Sequence, residues 1–416
     1  MLMIFSFIAG YSFITIEHYT KINKATIALL MAVVCWTIQF SNTEWLAEAN
    51  NNFLAEHLAD ISQTVFFLIG ALTVVETINQ HKGFNAISKY VNFCSKKKML
   101  WVITFITFFL SGILDNLTTT VVMISLLRKL VDEGEDRWLI GGAIVIAANA
   151  GGAWTPIGDL TTTMLWIGGQ ISTLNIMKVL IFPSLFCTIV STFCLSLSLK
   201  GNFEQKNLSD NVEGKEPLGA FILGLGVALL VFVPIFKVLT GLPPFMGMLL
   251  ALSILWLVTD LYHYKHEGRE HLRIPNILTK IDFSGVLFFL GILLCIASLY
   301  SAGLLTQLAN WLQTYIGNLP IISVIIGFAS AVIDNVPLVA ATIGMYSLEQ
   351  FPTDHNFWNM IAYCAGIGGS ILIIGSAAGI AFMALEKVDF LWYVKRISLP
   401  ATIGYLAGFF LYLLAI

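Results

Sequence analysis

Apolar runs separated by short polar stretches dominate this chain. The runs lie near 1–16, 25–40, 57–79, 99–114, 117–130, 138–167 and 174–199. A polar stretch, 200–216, follows, and a second series occupies 217–240, 243–262, 281–303, 319–333, 336–348, 357–386 and 397–416. A crossing helix needs about 20 predominantly apolar residues. The longer runs therefore predict membrane-spanning helices, and residues 1–16 read as the first span rather than a leader, because they lack a basic start and a small-residue cleavage site. No segment alternates with the period of a strand. The pattern predicts an all-α polytopic membrane protein.

The series repeats. Ser111-Gly112-Ile113-Leu114-Asp115-Asn116 returns as Ser330-Ala331-Val332-Ile333-Asp334-Asn335, 219 positions on. Gly151-Gly152-Ala153-Trp154-Thr155-Pro156-Ile157-Gly158-Asp159 returns as Gly368-Gly369-Ser370-Ile371-Leu372-Ile373-Ile374-Gly375-Ser376, 217 positions on. Two matches in one order at nearly one offset indicate an internal duplication. The expected organisation is a first repeat over 1–200, a cytoplasmic linker over 201–216 and a second repeat over 217–416.

Charge orients the segments. Of 22 Lys and Arg residues, all but Lys178 and Lys237 fall within 17–24, 80–98, 128–137, 200–216, 261–280 and 386–396. The intervening stretches 41–56 and 303–318 carry none. Basic loops mark the cytoplasmic side, so the amino terminus is expected outside, in a cell (inner) membrane. The segments 99–114 and 117–130 then lie between two basic loops on one side, each arm only about 15 residues long, which suggests a hairpin dipping in from the cytoplasm. Its copy would dip in from outside. Each half crosses an odd number of times, giving two inverted repeats, each with about five transmembrane helices, one of them broken, and a re-entrant helical hairpin (99–130 and 319–348; broken helices 138–167 and 357–386).

Composition agrees. Of the 416 residues 57% are hydrophobic and 11% charged, against roughly 25% charged in a soluble protein. The six cysteines are scattered, mostly inside apolar runs, with no disulfide or zinc spacing. A net charge of −3 says little about partners beyond membrane lipid, and nothing points to nucleic acid.

The chemistry concentrates at the hairpin tips and helix breaks. An Asp at membrane depth costs about 2.5–3.5 kcal/mol on insertion scales, yet Asp115 and Asp334 occupy equivalent tips, each followed by an Asn that offers both an acceptor and a donor. These pairs suit cation or proton sites; each Asp could equally cap the helix that follows it. In 149–159 two adjacent glycines and Pro156 weaken the helix and free carbonyls, hard oxygen ligands of the sort small cations favour. Asn149, Thr155 and Asp159 add side-chain oxygens. The second break offers Ser370 and Ser376 but no carboxylate, and its glycines also suit close helix packing. Burial disfavours an ionised carboxyl and a nearby cation favours it, so one carboxylate can hold a proton or a metal ion in turn. Asp115 and Asp159 are expected to form the main exchange site, with Asn116 and Asn149 as further Na⁺ ligands. Thr118 and Thr161 to Thr163 could add hydroxyls. Glu76 reads as a solvated helix end, His57 and His81 as membrane-edge residues, and His263, His266 and His271 as solvated in a basic loop.

Ser111-x-x-x-Asp115-Asn116-x-Thr118, the Asn149–Asp159 stretch and Ser330-x-x-x-Asp334-Asn335 together resemble the NhaD-type sodium/proton antiporters of the ion-transporter superfamily, which also holds arsenite permeases and sodium-coupled dicarboxylate carriers. The resemblance covers nearly the whole chain. It implies Na⁺ or Li⁺ exchanged for H⁺ without a cofactor, a homodimer and an elevator-like moving domain. It passes cation and proton roles to Ser111, Asp115, Asn116, Thr118, Asn149, Asp159, Ser330, Asp334 and Asn335, and to Ser370 and Ser376. Some members carry two consecutive acids at the first tip, where this chain has Asn116. An arsenite or organic-anion carrier is the nearest alternative, although acids at both tips favour a cation. An intramembrane aspartyl protease built on Asp115 and Asp159 would leave the repeat and Asp334 unexplained, and a passive channel would leave the carboxylates without an exchange role.

Overall fold

The computed structural model describes residues 2–15, 22–41, 47–84, 95–203, 218–264 and 269–415. Most of the 201–216 linker and the basic residues Lys21, Lys89, Lys206, Lys215 and Lys265 lie outside the described residues, as does His266. The described residues are mostly helical, with no strand among them beyond one isolated bridge between Ser95 and Asn202. The protein is an all-α polytopic membrane protein.

In chain order the helices are α1 (Leu2–Thr15), α2 (Lys24–Phe40), α3 (Ala47–Gln80), α4 (Lys96–Ser111), α5 (Asn116–Leu130), α6 (Glu135–Gly152), α7 (Leu160–Ile167) and α8 (Thr173–Ser196). After the linker come α9 (Gly219–Thr240), α10 (Pro244–His263), α11 (Phe283–Ser301), α12 (Leu304–Tyr315), α13 (Leu319–Ser330), α14 (Asn335–Met345), α15 (Asn356–Gly368), α16 (Ala377–Glu386) and α17 (Phe390–Ala415). Six of these are long and apolar enough to cross a membrane: α3, α8, α9, α10, α11 and α17. The arms α4 and α5 have 16 and 15 residues, and α13 and α14 have 12 and 11. All four are shorter than the ~20 residues a full crossing needs.

Two stretches read as outer loops are helical. Helix α3 runs for 34 residues and begins inside 41–56, because Ala47, Glu48, Ala49, Leu54, Ala55 and Glu56 are strong helix formers with no breaker among them. Within 303–318 lies α12, whose Leu305 and Ala309 are buried while Trp311 and Tyr315 are exposed. His263, read as solvated, is buried at the end of α10, its Nε2 2.9 Å from Nε2 of buried His81. The loop begins one residue later, so the side chain still belongs to the helix packed on α3.

The helices form two groups. In the first, α2 lies along α11, and α3 packs on α10 and α11. The Trp36 indole donates to the Leu294 carbonyl at 2.9 Å and fixes the α2–α11 register. In the second, the hairpins α4–α5 and α13–α14 pack on α6 and α15, and α17 lies along α8. The hairpin contacts recur at the sequence offset. A Cβ on Gly151 would stand 2.2 Å from the Phe108 carbonyl oxygen, and one on Gly368 2.2 Å from that of Gly327. Both positions need glycine because backbone meets backbone there.

Ion pairs and hydrogen bonds tie this second group together at both ends. At one end buried Glu386 receives Arg137 Nε at 2.8 Å and Arg128 Nε at 3.0 Å. At the other, Asp354 accepts from the Ser172 amide at 2.6 Å and the Ser172 hydroxyl at 2.7 Å. A buried carboxylate with two guanidinium partners holds its helix ends firmly, since removal of a partner from a buried pair costs about 3–5 kcal/mol.

Candidate functional site

Four helices start at one place. The first residues of α5, α7, α14 and α16 (Asn116, Leu160, Asn335 and Ala377) all line a single cavity of about 100 Å³, together with Asp115, Asp159, Asp334 and Asp282. Each start is fixed by local sequence. Helix α6 ends at Gly152, Pro156 falls in the gap, and Asp159 restarts the chain as the N-cap of α7, accepting from the Thr161 amide at 3.0 Å. Ser376 does the same for α16, accepting from the Gly379 amide at 3.2 Å. Asp115 caps α5 and Asp334 stands at the cap position of α14. Helix N-termini carry unsatisfied amides and the positive end of the dipole, so three of the four positive ends already have a carboxylate.

Asp159 is the point of convergence. It is 1% exposed. Its Oδ2 accepts from Asn116 Nδ2 at 3.0 Å and from Asn335 Nδ2 at 3.3 Å, so the asparagines of both hairpin tips reach the same oxygen. Asn116 Nδ2 also lies 2.9 Å from Asn149 Oδ1, and Asn149 Nδ2 donates to Ser376 Oγ at 2.9 Å. The two breaks thus face each other: Asn149 meets Ser376, and Asp159 meets Gly366, where a Cβ would stand 3.7 Å from Oδ2.

The remaining sequence candidates divide. Asp115 is engaged with Thr118, accepting from its amide at 2.8 Å and its hydroxyl at 2.6 Å. Asp334 makes no side-chain capping bond. Ser111 and Ser330 are buried with their hydroxyls on the carbonyls of Ala148 and Ala365, at 2.6 and 2.7 Å, equivalent bonds that fasten each hairpin to its broken helix. The Thr155 hydroxyl is on Gly112 O at 2.7 Å and that of Ser370 on Ile367 O at 2.6 Å. Thr162 and Thr163 return their hydroxyls to the Asp159 carbonyl at 2.9 and 3.0 Å. None of these six hydroxyls points a donor at the Asp159 carboxylate; their bonds hold the backbone around it. Sequence reasoning passed over Asp282, the exposed member of the lining, and Gly366 as the partner of Asp159. It counted Arg137 as a loop charge and left Glu386 aside, although the two form a buried pair.

Two hairpins facing two interrupted helices around an acidic cavity, in a chain of membrane-spanning helices, make a multi-pass membrane transporter. The chain belongs to the CitMHS family, described as citrate transporters, whose family model matches residues 11–355. It is 51% identical to sodium/proton antiporter 1 of Arabidopsis thaliana over 406 residues, covering 97% of this chain and 70% of that protein. It is 48% identical to sodium/proton antiporter 2 of the same plant, covering 97% of each. It is 29% identical to the Na(+)/H(+) antiporter NhaD of Vibrio cholerae, covering 98% of this chain and 90% of that one.

Proposed function

We propose that this protein exchanges Na⁺ or Li⁺ for H⁺ across its membrane, with Asp159 as the carboxylate over which cation and proton compete. The observation that carries the reading is the meeting of four helix starts on one cavity whose cap positions hold Asp115, Asp159 and Asp334. Bare helix starts attract anions. With a fixed carboxylate at three of them and no Lys or Arg among the lining residues, the cavity suits a cation and repels a tricarboxylate such as citrate. The names of the antiporter relatives point the same way.

The amides supply the switch between the two ligands. Asn116 and Asn335 present N–H to Asp159 Oδ2. A half-turn of either amide presents its oxygen instead, a hard ligand for Na⁺ beside the carboxylate. A proton on Asp159 removes the charge that attracts the cation, so the two substrates exclude each other. Na⁺, Li⁺ and H⁺ are cargo in this scheme.

Alternating access then requires the site to face each side in turn. The short arms, the repeated glycine contacts and the matched serine fasteners support two repeats, 1–200 and 217–416, with inverted hairpins. The basic-loop bias supports an outer amino terminus, and the family resemblance a cell (inner) membrane. The fasteners at both ends of the hairpin group support its movement as one body, as the resemblance implies, with a homodimer framing it. The test is dye-reported pH in everted vesicles given Na⁺, Li⁺, K⁺ and citrate in turn. Alkalinisation by Na⁺ or Li⁺ is expected; a response to citrate alone sinks the assignment.

A further inference from the structure

We propose that Asp282, at the start of α11, is a capture carboxylate that draws the cation into the cavity from one side of the membrane. This rests on the exchange reading above and adds a residue to it. Asp282 lines the same cavity as Asp115, Asp159 and Asp334 but comes from the other helix group, and it is exposed where those three are wholly or partly covered. It therefore stands where the cavity meets water. Gly285, Val286 and Phe289, the next turns of α11, continue the wall inward towards the hairpin tips.

The side chain is fixed in place. Asp282 Oδ1 accepts from the Gly285 amide at 2.9 Å as the N-cap of α11. Neighbouring Ser284 exchanges hydrogen bonds with Asn23 at 2.8 and 3.0 Å, which holds the start of α2 beside it. Lys24 on α2 sets its ammonium 4.4 Å from the Phe288 ring centre, so the two adjoining helix starts carry one charge of each sign, and of these only Asp282 lines the cavity. Basic residues Arg273 and Lys280 precede Asp282 in the chain, marking this mouth as the cytoplasmic one by the same rule that orients the spans. A fixed negative charge at a low-dielectric mouth raises the local cation concentration and the rate of entry, an effect that salt screens.

Asp282→Asn separates charge from structure, because Asn caps a helix about as well as Asp. In proteoliposomes of known orientation at low ionic strength, the variant is expected to raise the Na⁺ KM by roughly 3- to 10-fold when Na⁺ is offered at the Asp282 mouth. The KM from the opposite side and the maximal rate are expected to stay unchanged. Choline chloride at high concentration is expected to erase the difference, and Asp282→Glu to restore wild-type KM. An unchanged KM at the Asp282 mouth, or a rise that is equal from both sides and indifferent to salt, overturns the capture role. Failure of the wild-type protein itself to move protons in response to Na⁺ or Li⁺ instead overturns the exchange reading.

Discussion

At the first hairpin tip Asp115 gives both carboxylate oxygens to Thr118, one to the amide and one to the hydroxyl. At the second, Asp334 is likewise followed by an asparagine but makes no side-chain capping bond. The difference traces to one position. The counterpart of Thr118, 219 residues on, is Pro337, which has neither an N–H nor a hydroxyl to offer. Both aspartates line the cavity, but the first is tied to its own helix by two Thr118 donors and the second has no counterpart of either. Equal residues at matching tips need not hold equal functions, and here a single proline separates them.

The comparison can be pressed at several points. The largest effect is expected at the carboxylate both tips address: Asp159→Asn is expected to lower Na⁺-driven proton movement in proteoliposomes by two to three decades, matching about 3–5 kcal/mol for a buried charge partner. Next is a transplant. Pro337→Thr gives Asp334 the donors that Asp115 has, and hydrogen bonds to a charged group are worth about 1.5–3 kcal/mol. A Na⁺ KM raised by about tenfold or more is expected, and an unchanged KM means the proline is not what sets the tips apart. Smaller is the stability contrast. Asp115→Ala is expected to lower the midpoint of heat aggregation in detergent by the equivalent of about 1 kcal/mol, the usual loss of a helix cap, while Asp334→Ala is expected to leave it nearly in place. Smallest is a difference that is expected to vanish: Ser111→Ala and Ser330→Ala each remove an equivalent bond worth about 0.5–1.5 kcal/mol, so their midpoints are expected to fall together.

Much of the helical layout was legible because it is written in local chemistry. Gly151, Gly152 and Pro156 weaken a helix, and the chain does break between Gly152 and Leu160. The tip aspartates announced themselves by their setting and their recurrence. What could not be read was convergence. Asn335 reaches Asp159 across 176 residues, and only the packing of α14 beside α7 brings them together. The same holds for Glu386, whose charge looks like any other near a basic loop until Arg128 and Arg137 enclose it. The missing donor at Pro337 was visible in the sequence all along; the signal was an absent N–H, which a search for matching residues passes over.

The fasteners of the hairpin group share a property: Ser172 to Asp354, Arg137 to Glu386 and Asn149 to Ser376 each join the first half of the chain to the second. Each half leaves some of its interior polar groups to be satisfied by the other. A polypeptide severed within 201–216 is thus expected to yield two fragments that are insoluble apart and assemble when made together, which makes the two halves one unit of folding.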